Sequence, residues 1–149
     1  MQLGLDHAYV SRIVAVALAE DVGPGDVTTL ATIPAGARCT ADLNSRVAGV
    51  VAGLPVAIEA FRQLDPQVEI DQKKQDGDPI APGTLLLRVR GSARAVLSAE
   101  RVALNFTQRM SGIATAAARY VAAVRGTHAT IVDTRKTTPG LRQLEKYAV

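Results

Sequence analysis

The stretch DTRKTTPG occupies residues 133–140, between a short apolar run at residues 129–132 and a segment of helical pattern at residues 141–147. The apolar run predicts a fully buried strand. A strand, a loop and a helix in succession form the opening of a β/α unit, in which the loop after the strand commonly carries the chemistry. Arg135 offers a planar fork for a carboxylate or a phosphate, and Lys136 adds a compact charge. The stretch therefore predicts a loop that binds a multiply charged anion.

Residue chemistry alone leaves a second interpretation of this loop equally open. The two cations are also compatible with a solvated loop edge, in which Asp133 serves as a cap or an ion-pair partner. Arg101 lies upstream on a polar stripe of a predicted long helix, which also includes Arg94, Ser98, Asn105 and Gln108. An Arg on such a stripe is usually a solvated side chain, so its position alone does not favour a ligand role.

The order of the other elements predicts two parts of the chain. A helix is expected over residues 7–20 with Asp6 as its N-cap, and a second helix from Leu54 to Leu64. Short strands are expected near residues 39–43, 49–52, 68–70 and 85–89, with a glycine-rich turn between helix and strand at residues 21–26. A long helix begins at Ser92, is interrupted at Ser111-Gly112, and is followed by another helix over residues 113–124. This order predicts an α+β sandwich domain followed by a β/α unit.

Composition and charge favour a soluble globular protein that handles small anions. Apolar residues make up 48% of the chain and charged residues 21%, and no apolar run approaches the roughly 18 residues of a membrane span. From Arg94 onward nine Lys/Arg face three Asp/Glu, but without the aromatic interleaving of a nucleic-acid surface. We expect no nucleic-acid partner and no membrane partner. The absence of a signal-peptide pattern and the single cysteine, Cys39, favour a cytoplasmic location.

Several kinds of site find no support in the sequence. No P-loop, GxGxxG motif or nucleophile elbow is present. His7 and His128 are isolated from each other and from Cys39, so we expect no protein metal site from them. A conventional nucleophile is also missing. Chemistry at the 133–140 loop would therefore depend on binding and positioning charged substrates.

Nine short segments, taken in order, resemble one known family. They are LAED at 18–21, GDVTT at 25–29, GVVAGL at 49–54, AER at 99–101, LNF at 104–106, SGIAT at 111–115, DTRKTTPG, LR at 141–142 and EKYAV at 145–149. Each is weak alone, but the ordered set is similar to the quinolinate phosphoribosyltransferases, also called nicotinate-nucleotide pyrophosphorylases (carboxylating). The resemblance covers nearly the whole chain.

The resemblance implies a reaction and roles for four residues. Members of the family join quinolinate to 5-phosphoribosyl-1-pyrophosphate and release pyrophosphate and CO2, which gives nicotinate mononucleotide for NAD biosynthesis. Thr134, Arg135 and Lys136 match the family's substrate loop, with Arg135 on a quinolinate carboxylate and Lys136 facing the phosphoribosyl group or its pyrophosphate. Arg101 matches an arginine that reaches into the site of the neighbouring subunit. The resemblance therefore also implies a homodimer and Mg2+ bound through the pyrophosphate.

The resemblance also implies that part of the family's site is missing. Members of the family continue after EKYAV into a glycine-rich segment with a His-Arg pair, a lysine and acidic residues that complete an α/β barrel. We therefore expect an α+β sandwich domain over residues 1–112 and the first β/α unit of a truncated α/β barrel over residues 113–149. Half a barrel leaves strand edges and apolar faces uncovered. The chain alone is expected to be inactive, and unstable or prone to aggregate.

Three alternatives remain at this point. Residues 76–80 and 82–86 are similar to a segment of biotinyl or lipoyl carrier domains, although Lys73-Lys74 lies at the wrong place for a modified lysine. The homologous molybdenum-transport-associated protein is a second alternative, although the context of Asp133 and TPG at 138–140 favours quinolinate. A non-catalytic subunit that donates Arg101 to a full-length partner is the third.

Overall fold

The computed structural model describes residues 4–149, and over these residues the chain forms five helices and five strands. The helices are α1 His7–Val22, α2 Val27–Thr32, α3 Leu54–Leu64, α4 Ala93–Ala123 and α5 Arg142–Ala148. The strands are β1 Arg38–Asn44, β2 Gly49–Val50, β3 Glu69–Gln72, β4 Pro79–Ile80 and β5 Leu85–Ser92. This content confirms a mixed α/β architecture. No helix within residues 4–149 is long and apolar enough to cross a membrane.

The larger sheet is antiparallel, with strand order β1-β5-β3, and its two faces differ in chemistry. Val89 of β5 lies opposite Ala41 and Ile70, and this row faces the apolar core. The next row carries Arg88 between Asp42 and Asp71 on the outer face. Alternation of this kind is what an antiparallel sheet with one covered face requires. The strands β2 and β4 form a separate two-stranded sheet.

The core lies between the inner face of the larger sheet and helices α1, α3 and α4. The fully buried side chains there include Val14, Leu54, Val56, Leu87, Val89 and Met110. The predicted helix at residues 7–20 is confirmed as α1, with the Asp6 side chain accepting from the Ala8 N–H. The predicted second helix is confirmed as α3, with Pro in its first turn, where the missing N–H costs no hydrogen bond.

Helix α4 runs without a break through residues 111 and 112, so the predicted interruption at Ser111-Gly112 is wrong. A glycine inside a helix costs about 1 kcal/mol relative to alanine. The long buried stripe of this helix outweighs that cost, because Val96, Ala99, Ala103 and Met110 all lie in the core, as their spacing predicts.

Hydroxyl groups of α4 fasten the GVVAGL segment to the helix. The Ser111 hydroxyl accepts from the Ala52 N–H at 3.0 Å and lies 3.1 Å from the Ala52 carbonyl oxygen, to which it donates. The Thr115 hydroxyl accepts from the Val50 N–H at 2.9 Å. These contacts satisfy backbone groups that no strand partner reaches, which buried peptide groups require. Two of the segments that carry the family resemblance, GVVAGL and SGIAT, are therefore docked on each other.

Two glycines of the same segment are required because side chains of α4 approach their backbone closely. A Cβ on Gly49 would lie 2.5 Å from Thr115 Oγ1. Gly53 has φ +96°, and a Cβ there would lie 2.8 Å from Met110 Sδ. Only glycine combines a left-handed backbone with no side-chain volume. The glycines of this segment therefore allow it to pack closely against α4.

Residues 23–26 join α1 to α2. The prediction that the glycine-rich turn at residues 21–26 leads from a helix into a strand is therefore wrong, because it leads into a second helix. Asp26 caps α2 by accepting from the Thr29 N–H at 3.1 Å and from the Thr29 hydroxyl at 2.8 Å. Helix α2 has only six residues, which is too short to show an apolar period. The capping pattern Asp-x-x-Thr was its only local signal.

Residues 129–132 form no strand, and the prediction of a buried one is wrong for this structure. Val132 is 77% exposed. A strand needs a neighbour that pairs with its backbone N–H and C=O groups, and none of residues 4–149 supplies one here. The apolar composition of residues 129–132 was therefore not enough to predict a strand, because composition does not provide a pairing partner.

Candidate active site

The loop at residues 133–140 is fastened at several points by side chains from the helices around it. Lys146 of α5 forms an ion pair with Asp133. Arg142 Nε donates to Thr137 Oγ1 at 3.2 Å. The buried Tyr9 of α1 donates its hydroxyl to the Gly140 carbonyl oxygen at 2.7 Å. The loop is therefore held by α1 and by α5, and Asp133 pairs with a cation outside the loop.

A three-residue cluster fixes the middle of the loop at Thr138. Arg109 Nη2 of α4 contacts both Thr138 Oγ1 and Glu145 Oε1. The other carboxylate oxygen, Glu145 Oε2, accepts from the Thr138 N–H at 3.2 Å. The hydrogen bond from Arg109 is the main reason that the pKa of Glu145 lies below its usual value, because a donor stabilises the ionised carboxylate. We call Arg109, Thr138 and Glu145 the loop clasp.

Arg135 and Lys136 remain exposed and have no ion-pair partner within residues 4–149. The Thr134 hydroxyl accepts from the Lys136 N–H at 3.2 Å, which sets the turn that separates the two cations. Unpaired cations on a braced loop keep their charge available for an anionic ligand, because no desolvated partner has to be displaced. Of the predicted site residues, Thr134, Arg135 and Lys136 therefore lie together.

Cations outnumber carboxylates around this loop. Arg109, Arg135, Lys136, Arg142 and Lys146 lie in the loop or contact it directly, against Asp133 and Glu145. Arg109 and Lys146 pair with the two carboxylates, whereas Arg142 bonds only a hydroxyl group. The excess positive charge is therefore carried by Arg135, Lys136 and Arg142. A local excess of this kind raises the concentration of small anions at the loop.

Arg101 lies elsewhere, on the part of α4 that faces α1 and α2. Its Nε lies 2.9 Å from Asp21 Oδ2, and its Nη2 lies 3.2 Å from Asp26 Oδ2. The side chain is 49% exposed, and its Nη1 forms no hydrogen bond within the described residues. The structure does not bring Arg101 into contact with Thr134, Arg135 or Lys136.

The first part of the polar stripe of α4, from Arg94 to Arg101, contacts residues 21–33, whereas Asn105 and Gln108 of the same stripe are exposed. Arg94 donates to the carbonyl oxygens of Ile33 and Leu30, at 2.8 and 3.2 Å. Ser98 is buried and donates to Asp26 Oδ2 at 3.4 Å. Asp26 therefore collects donors from α2 and α4, and the Thr29 N–H is the largest cause of the lowered pKa of its carboxyl group. Periodicity located the stripe but could not show that α2 covers its first part.

Asp133 is the one carboxylate of loop 133–140, and it pairs with Lys146. Within residues 4–149 no three or more His, Cys, Asp or Glu side chains converge in a way that could hold an ion. His7 lies 3.8 Å from Glu59, far along the chain from the loop, and Cys39 is a half-buried residue of β1.

Comparison with known families shows to which family the chain belongs. Residues 26–111 match the sequence model of the quinolinate phosphoribosyl transferase N-terminal domain, and residues 113–149 match that of the C-terminal domain. The chain belongs to the quinolinate phosphoribosyltransferase family.

Relatives at moderate identity agree with this assignment. The chain is 48% identical over 139 residues to the nicotinate-nucleotide pyrophosphorylase [carboxylating] of Mycobacterium leprae, covering 89% of this chain and 48% of the relative. It is 40% identical over 145 residues to the probable enzyme of that name from Bacillus subtilis, covering 97% and 50%. The chloroplastic protein of Oryza sativa is 44% identical, with 94% and 38% covered.

Solved structures give the same result. NadC from Streptococcus pyogenes superposes with a TM-score of 0.93 at 40% identity, over 97% of this chain and 52% of that one. The nicotinate-nucleotide pyrophosphorylase from Francisella tularensis superposes with a TM-score of 0.92 at 32% identity, over 99% and 53%. The chain thus spans about half the length of the relatives it matches.

The comparisons support neither the carrier hypothesis nor the non-catalytic partner hypothesis. Residues 76–86, which suggested a biotinyl or lipoyl domain, lie inside the match to the family's N-terminal domain. They form the turns around β4, and β2 and α4 lie next to this segment. The likeness to a carrier therefore reflects a shared turn chemistry of Asp, Gly and Pro.

Sequence reasoning did not single out the residues that brace the loop. Arg109 had the signature of an ordinary exposed helix residue, and nothing local marks it as a partner of Thr138 or Glu145, which lie 29 and 36 positions away. Tyr9 gave no signal either, because its partner at Gly140 is 131 residues distant. Arg142, Glu145 and Lys146 were noted only as members of segments that resemble the family.

Proposed function

We propose that this chain forms part of an enzyme that transfers a phosphoribosyl group from 5-phosphoribosyl-1-pyrophosphate to quinolinate. The products would be nicotinate mononucleotide, pyrophosphate and CO2, as a step in NAD biosynthesis. The observation that carries the proposal is the pair of exposed, unpaired cations Arg135 and Lys136 on a loop whose other members are braced. Membership of the family gives this anion-binding geometry its substrate class.

The chemistry of the proposed reaction explains why the loop carries cations and no nucleophile. The ring nitrogen of quinolinate forms a bond to C1 of the ribosyl group, while the bond from C1 to the pyrophosphate oxygen breaks. The carboxyl group next to the ring nitrogen leaves as CO2, and the electron pair left on that ring carbon takes up a proton. Positive charge develops at C1 and negative charge on the departing pyrophosphate, so fixed cations near that oxygen stabilise the transition state.

The proposed roles follow the shape of each side chain. The Arg135 fork suits a quinolinate carboxylate, and Lys136 suits a phosphate oxygen as a point charge. The Thr134 hydroxyl adds a further polar contact while it holds the Lys136 N–H. Mg2+ is proposed to enter on the pyrophosphate as part of the substrate, where it offsets charge on the leaving group.

We further propose that residues 129–132 become the first strand of an α/β barrel, which the homologous second half of such an enzyme would complete. The exposed side chains Tyr120, Val121 and Val132 support this, because a neighbouring strand or helix could cover them. The 149 residues alone are then expected to be inactive and prone to associate. A cytoplasmic location stays a prediction.

A homodimer that shares Arg101 between its sites also belongs to the proposal. What supports it is the half-exposed guanidinium with an unused Nη1, which could reach a second molecule without leaving Asp21 and Asp26. The two carboxylates would then orient Arg101, and they would also offset part of its positive charge.

Direct binding of quinolinate by the purified chain tests the proposal. We expect saturable binding by calorimetry that weakens about 10-fold or more in Arg135→Met, because a charge-assisted hydrogen bond to a carboxylate is lost. Lys136→Met should weaken the binding of pyrophosphate more than that of quinolinate. Arg46→Met, an equal change of charge at an exposed residue between β1 and β2, is the control and should change neither. Equal losses of affinity in all three variants would show that the loop attracts anions only through nonspecific positive charge.

A further inference from the structure

The loop clasp joins two rigid helices through one loop residue. Arg109 extends from α4 beside the buried Met110, and Glu145 extends from α5 beside the buried Leu144. Thr138 lies between them and uses both its backbone N–H and its hydroxyl. Arg109 and Glu145 therefore meet at the loop from elements whose own positions are set by the core.

This contact differs from an ordinary surface ion pair. The Glu145 side chain is 14% exposed, and both of its carboxylate oxygens are used. Exposed ion pairs contribute little to stability because both side chains must be ordered against water. Here the carboxylate is largely out of water, and it bonds a backbone group that would otherwise be free to move. The geometry therefore restrains the path of the loop between Thr137 and Pro139.

We propose that Arg109 is a positioning residue, which with Glu145 holds loop 133–140 in the conformation that presents Arg135 and Lys136 to an anionic substrate. The inference rests on the proposed function and names a residue that acts through the loop rather than on the ligand. Arg109 Nη2 is already engaged by Thr138 and Glu145, although the side chain as a whole is 47% exposed. Without the clasp, Arg135 and Lys136 would stay on the loop, but the loop would sample many conformations. Ordering it around a ligand would then cost binding free energy.

Amide hydrogen exchange and quinolinate binding, measured on the same samples of the chain at low micromolar concentration, test this role. The Thr138 N–H is the direct reporter because it donates to Glu145. In Arg109→Met we expect about 10-fold faster exchange in the peptide that covers the loop, unchanged exchange in α1 and α3, and about 10-fold weaker quinolinate binding. Arg109→Lys keeps a donor and a charge, and should restore part of both effects. Arg119→Met, which removes an exposed charge from the same helix, is the matched control.

The outcomes separate the inference from the proposed function. Faster loop exchange together with weaker quinolinate binding supports the positioning role. Unchanged loop exchange in Arg109→Met overturns it, and so does faster exchange with unchanged binding. Faster exchange throughout the chain would show a general stabilising role and would also overturn it. A wild-type chain that binds no quinolinate contradicts the proposed function, and loop exchange alone then decides whether the clasp holds the loop.

Discussion

The hydroxyl of Tyr147 donates a 3.0 Å hydrogen bond to Asp76 Oδ2, across 71 positions of the chain. The same carboxylate accepts from the N–H groups of Gly53 and Leu54, at 2.8 and 3.0 Å, where α3 begins. The helix that follows the candidate loop is thereby tied to the segment that starts α3. This link explains why α5 keeps its position in a region without strands.

Tyr147→Phe should lower the free energy of unfolding by about 1–2 kcal/mol, because one hydrogen bond to a carboxylate is lost while Asp76 keeps its two backbone donors. Urea unfolding followed by circular dichroism measures the change. Tyr120→Phe is the control, since Tyr120 is 65% exposed and should cost almost nothing. Equal values for the two variants would contradict the structural role of the Tyr147–Asp76 bond.

The same variant should also change the stability at alkaline pH. Burial, with Asp76 as the second cause, raises the pKa of Tyr147 to about 12. The unfolded chain releases this proton near pH 10 and the folded chain only near 12, so the contribution is complete below about pH 10 and is lost between these values. The wild type should therefore lose more stability than Tyr147→Phe over this interval.

Two glycine substitutions should have opposite effects. Gly53→Ala introduces a Cβ at φ +96° and 2.8 Å from Met110 Sδ, and should cost about 2–4 kcal/mol. Gly112→Ala lies inside α4 with no atom within 4 Å, and should stabilise the chain by about 0.5–1 kcal/mol. Thermal unfolding of the two variants measures both changes in stability and their signs. A destabilising Gly112→Ala would mean that α4 bends or breaks at the predicted interruption after all.

Asp26 variants should separate capping from ion pairing. Asn can still accept the Thr29 N–H as an N-cap, whereas Ala cannot, so Asp26→Ala should destabilise the chain more than Asp26→Asn. The lowered pKa of Asp26 places its contribution above the unfolded value of about 3.9, and that contribution is lost as the pH falls through the folded pKa. Acid titration of unfolding should therefore be less steep in Asp26→Asn than in the wild type. Identical acid profiles would count against this assignment.

The shared role of Arg101 predicts complementation between two defective chains. Arg101→Ala and Arg135→Ala should each bind quinolinate weakly when alone. In an equal mixture, random pairing gives half of the dimers one intact site, so about a quarter of all sites should recover wild-type affinity. Titration calorimetry counts these sites. No recovery in a mixture that sediments as dimers would show that Arg101 does not act across the interface.

The helices and strands of residues 4–92 were largely predictable because their signals are local. Asp6 as a cap, Pro55 in a first turn and alternating residues in β1 and β5 all act within a few positions. The continuity of α4 was not predictable, since Ser111-Gly112 resembles a break unless its docking against Ala52 is known. The strand predicted at residues 129–132 is absent because an apolar run is a local signal, whereas a strand also needs a pairing partner, and none of residues 4–149 supplies one.

In the candidate site, too, local features were predictable from the sequence and long-range contacts were not. Arg135 and Lys136 were identified because adjacent cations in a turn are visible in the sequence. Their bracing was not, because Arg109 and Tyr9 reach the loop from 29 and 131 positions away. The engagement of Arg101 by Asp21 and Asp26 was also invisible, since it depends on α2, a helix too short to predict.

The most direct measurement is a titration of the chain with quinolinate, followed by NMR of the 15N-labelled arginine side chains. The account predicts a saturable shift of the Arg135 Nε–H resonance, with Arg109 held constant by its contacts to Thr138 and Glu145. Arg46 serves as the internal reference for nonspecific binding. A titration in which Arg135 does not move, or moves no more than Arg46, would contradict the claim that this loop binds quinolinate.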